Sequence, residues 1–494
     1  MDKAKINYLK TGVPGMDEVL GGGLPEYSFN IIAGAPGSGK TTLAHQLMFA
    51  MTRPQHSAIY FTVLGEPPLK MLRYQQQFEF FDSEKVNHLI HFVNLSEDLA
   101  SGDLAQVLNR ISGEVATRAP ALVFIDSFRS VLLANNSVHH SFLSLQNFIQ
   151  QLGLLMTSWQ ATTFLIGEYF ADNDPSPVFT VADGMIWLRQ SAQRNSVVRK
   201  LEISKLRGAA TLPGLHTFRM TSAGVHVFAP AAILVPSGSE ARQDLSHLTR
   251  VPMGVPGLDE MLGGGLPRGY SLLVAGPSGS GKSILAEAFL SEGARLTETG
   301  VLAAFEQRPN RSRGARMAKL ITDGSVSLID TPALNMSVDE IAMVLVREVH
   351  RLKATRVVID SLSGFELALA PTFREDFRES LARMILALAS SGVTVLMTSE
   401  LEDRYDDLRF SPYGTAFLTD AIIVQRYIEI DSQLRRVVAA VKVRSSKHSK
   451  DLRLYDIDDE GIKIGQKLPE YEGLLGGRPR RRLSAPSSKG NRDE

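Results

Sequence analysis

No cysteine occurs anywhere in the 494 residues. That absence removes disulfides, thiolate metal sites and cysteine nucleophiles together. An excess of either charge is missing too: 53 basic residues balance 53 acidic ones, for a formal net charge of zero. A neutral chain is poorly suited to coating nucleic acid, whose affinity comes mainly from surplus lysine and arginine. Apolar runs long enough to span a bilayer are also lacking. The polar start Met1-Asp2-Lys3-Ala4-Lys5 has none of the character of a signal peptide. A cytoplasmic protein without membrane association is the expectation. What remains is an ordinary globular composition, 44% apolar and 21% charged. Its length exceeds what one hydrophobic core sustains, so several domains are expected.

Two stretches organise the chain. Gly34-Ala35-Pro36-Gly37-Ser38-Gly39-Lys40-Thr41 and Gly276-Pro277-Ser278-Gly279-Ser280-Gly281-Lys282-Ser283 both fit the G-x-x-x-x-G-K-[ST] pattern of a phosphate-cradling loop. Glycines let successive backbone N–H groups curl into a nest for phosphate oxygens. Lys40 and Lys282 reach the β- and γ-phosphates, while the hydroxyls of Thr41 and Ser283 ligate Mg²⁺. Each loop follows an apolar strand, Phe29–Ala33 or Leu272–Ala275, and opens a helix whose positive end faces the same anion. Candidate nucleotide contacts are therefore Gly34, Gly37, Ser38, Gly39, Lys40, Thr41 and Thr42, with Gly276, Gly279, Ser280, Gly281, Lys282 and Ser283. ATP and Mg²⁺ are the expected cofactors.

The rest of the sequence repeats with the loops. Thr11-Gly12-Val13-Pro14-Gly15-Met16-Asp17-Glu18-Val19-Leu20-Gly21-Gly22-Gly23-Leu24-Pro25 returns as Met253 to Pro267, and the loops themselves are offset by 242 residues. This spacing predicts a duplicated domain and not a solenoid. We expect domains at 1–235 and 250–475, a linker at 236–249 and a disordered basic tail at 476–494. The tail's Arg480-Arg481-Arg482-Leu483-Ser484 run reads as solvated.

In the first copy, strands at 58–64, 89–93, 121–126 and 161–167 alternate with helices near 68–78, 102–117 and 141–156. Segments 184–189, 197–206 and 215–228 follow with β character. The second copy repeats the order through 301–305, 326–329, 356–360, 393–398, 421–428 and 436–444. Such alternation predicts an α/β fold, two tandem domains, each a mostly parallel sheet with helices on both faces and antiparallel hairpins at one edge.

Hydrolysis needs further groups. Asp126 and Asp360 end apolar strands, where a carboxylate orients a metal-bound water or caps the next helix. Glu66 and Glu306 follow the strand after the first helix and are candidates to activate the attacking water. Lys205 with Arg207, and Lys442 with Arg444, recur as Lys-x-Arg on late β segments. They read either as a solvated strand face or as cations supplied to a neighbour's γ-phosphate, as in rings of phosphate-loop ATPases. His139-His140 reads as an exposed helix start, and Arg308–Arg313 as a solvated helix entry.

The G-V-P-G-[ML]-D-E-[VM]-L-G-G-G-L-P opening, the paired loops, the Ile-Asp-Ser strands and both Lys-x-Arg pairs resemble the KaiC family. These are the two-domain RecA-like ATPases of the cyanobacterial circadian oscillator. The resemblance covers about residues 7 to 470, including Phe218–Phe228. It implies a double-ring homohexamer with ATP between subunits and Lys-x-Arg acting in trans. It also implies slow hydrolysis in the first ring, autophosphorylation in the second, and regulatory protein partners. The chain departs from the family pattern at Ala416 and Phe417, which occupy the phospho-acceptor positions without a hydroxyl, though Thr415 and Thr419 flank them. Paired glutamates are reduced to one per domain, in Gly65-Glu66 and Glu306-Gln307. The C-terminal tail carries no adaptor-binding likeness. Two other readings are a DNA-processing recombinase or helicase and a nucleotide-stabilised scaffold.

Overall fold

The structure is a computed structural model. It describes residues 6–63, 68–100, 103–128, 131, 142–169, 177–193, 196–230, 249–305, 314–330, 336–369, 377–401, 418–467, 469, 471–472 and 480–481. Glu66, Glu306, His139, His140, Arg308–Arg313 and positions 415–417 lie outside these residues, as does most of the expected linker. The chain divides into two compact units, Met1–Ala229 and Pro230–Glu494.

In the first unit, β1 (Phe29–Gly34) leads through the phosphate loop into α1 (Lys40–Met51). Then come β2 (Ala58–Thr62), α2 (Pro68–Gln75), β3 (Ile90–Asn94), α3 (Leu104–Arg118), β4 (Leu122–Asp126), α4 (Phe142–Ser158) and β5 (Thr162–Glu168). The sheet closes with β6 (Gly184–Gln193), β7 (Ser196–Leu206), β8 (Leu215–Thr221) and β9 (Gly224–Val227). Strand order is β9-β8-β7-β6-β1-β5-β4-β2-β3. Strands β1 to β6 pair in parallel, and β7 to β9 add antiparallel hairpins at one edge.

The second unit repeats this order. It contains β10 (Ser271–Gly276), α5 (Lys282–Arg295), β11 (Gly300–Ala304), α6 (Ala315–Thr322), β12 (Val326–Asp330), α7 (Val338–Leu352) and β13 (Arg356–Asp360). It continues through α8 (Phe377–Ser390), β14 (Thr394–Glu400), β15 (Ala421–Ile430), β16 (Gln433–Val443), β17 (Arg453–Asp458) and β18 (Gly461–Lys467), in the order β12-β11-β13-β14-β10-β15-β16-β17-β18. The two mostly parallel sheets with flanking helices are the tandem RecA-like domains expected.

Central strands are apolar without alternation because helices cover both faces. All six residues of β1 are buried, as are all six of β10. Successive side chains still point oppositely: Ile31 packs in one core cluster and Ile32 in the other, and Leu273 and Val274 divide the same way. Each sheet therefore sits between two cores, and its C-terminal edge presents the loops.

Two local details differ from the sequence reading. Segment 215–228 is a hairpin of two strands turning at Ser222-Ala223, and β17–β18 supply its counterpart beyond residue 444. Arg480–Arg481, inside the expected disordered tail, pairs antiparallel with Tyr471–Glu472. The chain there has no apolar periodicity, and backbone pairing does not require any. Among the described residues no helix is long and apolar enough to cross a membrane.

Candidate active site

In each sheet the phosphate loop leaves the central strand and enters a helix directly. Gly39 and Gly281 form the N-caps of α1 and α5 in left-handed conformation, with φ of 102° and 93°. A Cβ on Gly39 would lie 2.6 Å from the Met220 sulfur, and one on Gly281 at 2.6 Å from Ile457 Cδ1. Only glycine satisfies both the dihedral and the close approach. Met220 lies on β8 and Ile457 on β17, so the edge hairpin props the loop in both units, which no local motif announced.

The loop residues fit an anionic group. The first N–H groups of α1 and α5 have no acceptor within their own helix. The Ser38 hydroxyl is fully buried and has no hydrogen-bond partner among the described residues. Its counterpart Ser280 donates to Gln425 Oε1 at 3.1 Å. Lys40 Nζ folds back to donate to the Ala35 carbonyl at 2.9 Å, and Lys282 Nζ to the Gly276 and Pro277 carbonyls at 2.9 and 2.8 Å. Burial lowers the pKa of both ammonium groups, against the attraction of Glu168 and Asp126 on Lys40 and of Glu400 and Asp360 on Lys282. Thr42 has no polar counterpart, since Ile284 stands at its place in the second unit.

A divalent cation has its residues as well. Thr41 Oγ1 donates to Asp126 Oδ2 at 2.9 Å, which sets a hydroxyl and a carboxylate side by side next to the loop. Burial raises the Asp126 pKa, opposed by hydrogen bonds from Tyr60 and Thr41 and by the Lys40 charge. Asp360 accepts instead from Thr398 Oγ1. The structure thus brings Lys40, Thr41 and Asp126 together in the first unit, and Lys282 and Asp360 in the second.

The Lys-x-Arg pairs lie elsewhere in their own unit. Lys205 pairs with Met185 across β6 and β7, and the Arg207 N–H donates to the Asp183 carbonyl, whose own N–H donates to Phe29. Gly34, where the loop begins, is five residues further along β1, about 17 Å at roughly 3.3 Å per residue. The second unit is built identically: Lys442 pairs with Ile422, and Arg444 N–H bonds Asp420, which bonds Ser271 at the start of β10. Arg207 and Arg444 hold ion pairs with Asp183 and Asp420 at 3.2 and 3.4 Å. Lys205 and Lys442 donate to the Phe179 and Thr419 carbonyls. Burial lowers both lysine pKa values, with the neighbouring arginine adding to it.

Sequence reasoning passed over four carboxylates. Glu168 is the register partner of Gly34, and Glu400 of Gly276. The next residue in each case, Tyr169 or Leu401, donates its N–H back to that glycine carbonyl. A rigid ladder thus sets an exposed glutamate one strand from each loop. Asp183 and Asp420 immediately precede β6 and β15 and accept from the N–H of Phe29 or Ser271. The signal was available, because both pairs recur at matching places in the duplicate.

A phosphate loop on the central strand of a RecA-like sheet, with a hydroxyl and a strand-end aspartate beside it, defines a nucleotide-binding P-loop ATPase fold. The family model described as "ATPase: KaiC" matches residues 9–232 and 251–469, and the chain belongs to that family. It is similar to the circadian clock oscillator protein KaiC of Rippkaea orientalis, 27% identical over 96% of this chain and 92% of the relative. The KaiC of Prochlorococcus marinus strain MIT 9313 is 26% identical over 97% and 96%, and KaiC 1 of Synechocystis is 26% identical over 96% and 92%.

Proposed function

We propose that this KaiC-family ATP-binding protein is a Mg²⁺-dependent ATPase that assembles as a double-ring homohexamer and signals by nucleotide state to protein partners. In this reading domains 1–235 and 250–475, joined by 236–249, each contribute one ring in the cytoplasm, and nucleic acid is not a partner. ATP lies at the joint between protomers. Gly34 to Thr42 and Gly276 to Ser283 hold its phosphates, and Thr41, Asp126, Ser283 and Asp360 hold the metal, which when bound neutralises charge on the β- and γ-phosphates. Glu66 and Glu306 activate water. Lys205, Arg207, Lys442 and Arg444 reach the γ-phosphate of the neighbour.

One observation carries this reading. In both units the arginine of the Lys-x-Arg pair is anchored at the end of the sheet away from its own loop, so it cannot serve that loop in cis. A serine/threonine autokinase in the second ring is not favoured at positions 416–417, where Ala416 and Phe417 have no hydroxyl. Mixing tests the trans arrangement. Arg207→Ala and Lys40→Ala chains, each in a Lys282→Ala background, should be inactive alone and recover turnover when mixed, because one joint then has both an intact loop and an intact arginine. Failure to recover, with hexamers formed, would place the arginine outside the reaction. Incubation with labelled ATP should leave positions 416–417 unlabelled, and stoichiometric label at Thr415 or Thr419 would restore the autokinase.

A further inference from the structure

The two units hold the strand-end aspartate by different means. In the first, Asp126 Oδ2 accepts two hydroxyls at once: Thr41 Oγ1 at 2.9 Å and the Tyr60 OH at 2.8 Å. Tyr60 lies on β2, fully buried, its ring tilted against His45 at 4.7 Å and stacked on Phe124 at 5.9 Å. The ring has no room to swing, so its hydroxyl is a fixed post beside the carboxylate.

Register identifies the counterparts in the second unit. Tyr60 faces Phe124, and Leu302 faces Val358 at the equivalent row, so no hydroxyl comes from that side. The post stands on the opposite neighbour instead. Thr398 on β14 is buried and donates to Asp360 Oδ1, and its counterpart on β5 is Ile166. The arrangement is a swap, with Tyr60 and Ile166 flanking one aspartate and Leu302 and Thr398 flanking the other. A consequence is visible at the loop. Thr41 already donates to Asp126, whereas among the described residues no hydrogen bond joins Ser283 to Asp360.

We propose that Tyr60 and Thr398 are positioning residues that orient the metal-site aspartate separately in each unit, and that they give the two nucleotide sites different Mg²⁺ requirements. The proposal rests on the reading that these sites bind Mg-ATP. In the first unit the carboxylate is held with Thr41 already turned toward it, so the metal meets a set that needs no rearrangement. In the second, Asp360 is held toward Thr398, and it or Ser283 must rotate before both act on one ion. The first site saturates at lower Mg²⁺.

The test is Mg²⁺ titration of ATP retention by the full chain. Lys282→Ala confines the readout to the first site and Lys40→Ala to the second. Tyr60→Phe should raise the Mg²⁺ midpoint of the first site about tenfold, as expected for losing a hydrogen bond to a charged group, while ATP affinity at saturating Mg²⁺ stays unchanged. It should leave the second site alone. Thr398→Ser should keep the second site's behaviour and Thr398→Val should alter it. The double change Leu302→Tyr with Thr398→Ile should move the second midpoint toward the first. Substituting Mn²⁺ gives a spectroscopic check, since the electron paramagnetic resonance line of bound Mn²⁺ should differ between the two sites and converge in the double variant. Equal midpoints in the parent, or a Tyr60→Phe chain with an unmoved midpoint, would overturn the inference and leave the ATPase reading intact. A parent chain that retains no nucleotide at any Mg²⁺ concentration would overturn both.

Discussion

Arg207 Nη1 lies 3.2 Å from Asp183 Oδ1, and the pair sits at the end of the sheet opposite the phosphate loop of the same unit. The Arg207 side chain is 62% exposed, so this ion pair is screened by solvent and contributes at most a fraction of a kcal/mol, on the order of 0–1, to stability. Arg207→Ala should therefore leave the melting temperature of the first unit nearly unchanged while reducing ATP turnover, measured in the Lys282→Ala background, about a thousandfold, the low end for arginine fingers. Arg444→Ala should do the same in the second unit, measured by phosphate release in the Lys40→Ala background. Equal loss of stability and turnover would mark the pair as structural.

Glu168 and Glu400 raise the pKa of the loop lysines that burial lowers. Removing that carboxylate leaves each ammonium with less to offset its desolvation, so its pKa falls further. Glu168→Gln should shift the alkaline limit of ATP retention at the first site to lower pH, and Glu400→Gln should do so at the second. Retention measured across pH 7 to 10 checks it, and an unmoved limit would count against any role for these residues beside the loop.

His45 is fully buried, and burial pushes its pKa down to about 3 from an ordinary 6.5. The unfolded chain thus binds one more proton than the folded chain between these values, so folding stability is lost as pH falls through that window. The loss is about 1.4 kcal/mol per pH unit at most, and none arises above pH 6.5. Denaturation at pH 7 and pH 5 should show a first-unit stability drop that His45→Leu reduces.

Arg356 begins β13 and is 1% exposed. Its guanidinium donates to Glu298 at 2.7 Å and to the Pro252 and Phe289 carbonyls at 2.8 and 2.9 Å, and lies over the Phe289 ring. This one side chain ties the opening segment of the second unit to its helix and sheet, where the first unit has Leu122. Arg356→Leu removes these bonds and the buried ion pair with Glu298 together and should cost about 3 kcal/mol in the second unit alone, read from chemical unfolding followed unit by unit.

How much of this was legible beforehand follows from the range of the interactions. The glycine pattern of Gly34 to Thr41 encodes a nest because backbone torsion and N–H direction are local properties, and it reads the same in any context. Apolar runs such as Leu122–Ile125 announce buried parallel strands because a strand covered on both faces has no polar position to spare. Duplication then made the architecture plain. Glu168 and Glu400 were passed over because an exposed strand-end glutamate looks like any surface residue until strand order places it next to a loop more than 100 residues away.

By itself, then, the chain's order of residues determined that there are two phosphate nests, which strands precede them, and that lysine and hydroxyl stand ready at each. Only the folded arrangement decided that Tyr60 bonds one aspartate and Thr398 the other, that a distant hairpin backs each glycine cap, and that each arginine lies at the sheet end away from its own phosphate loop. Those outcomes depend on which strand lies beside which, and that is chosen by the packing of two cores against each sheet and not by any neighbouring pair of residues.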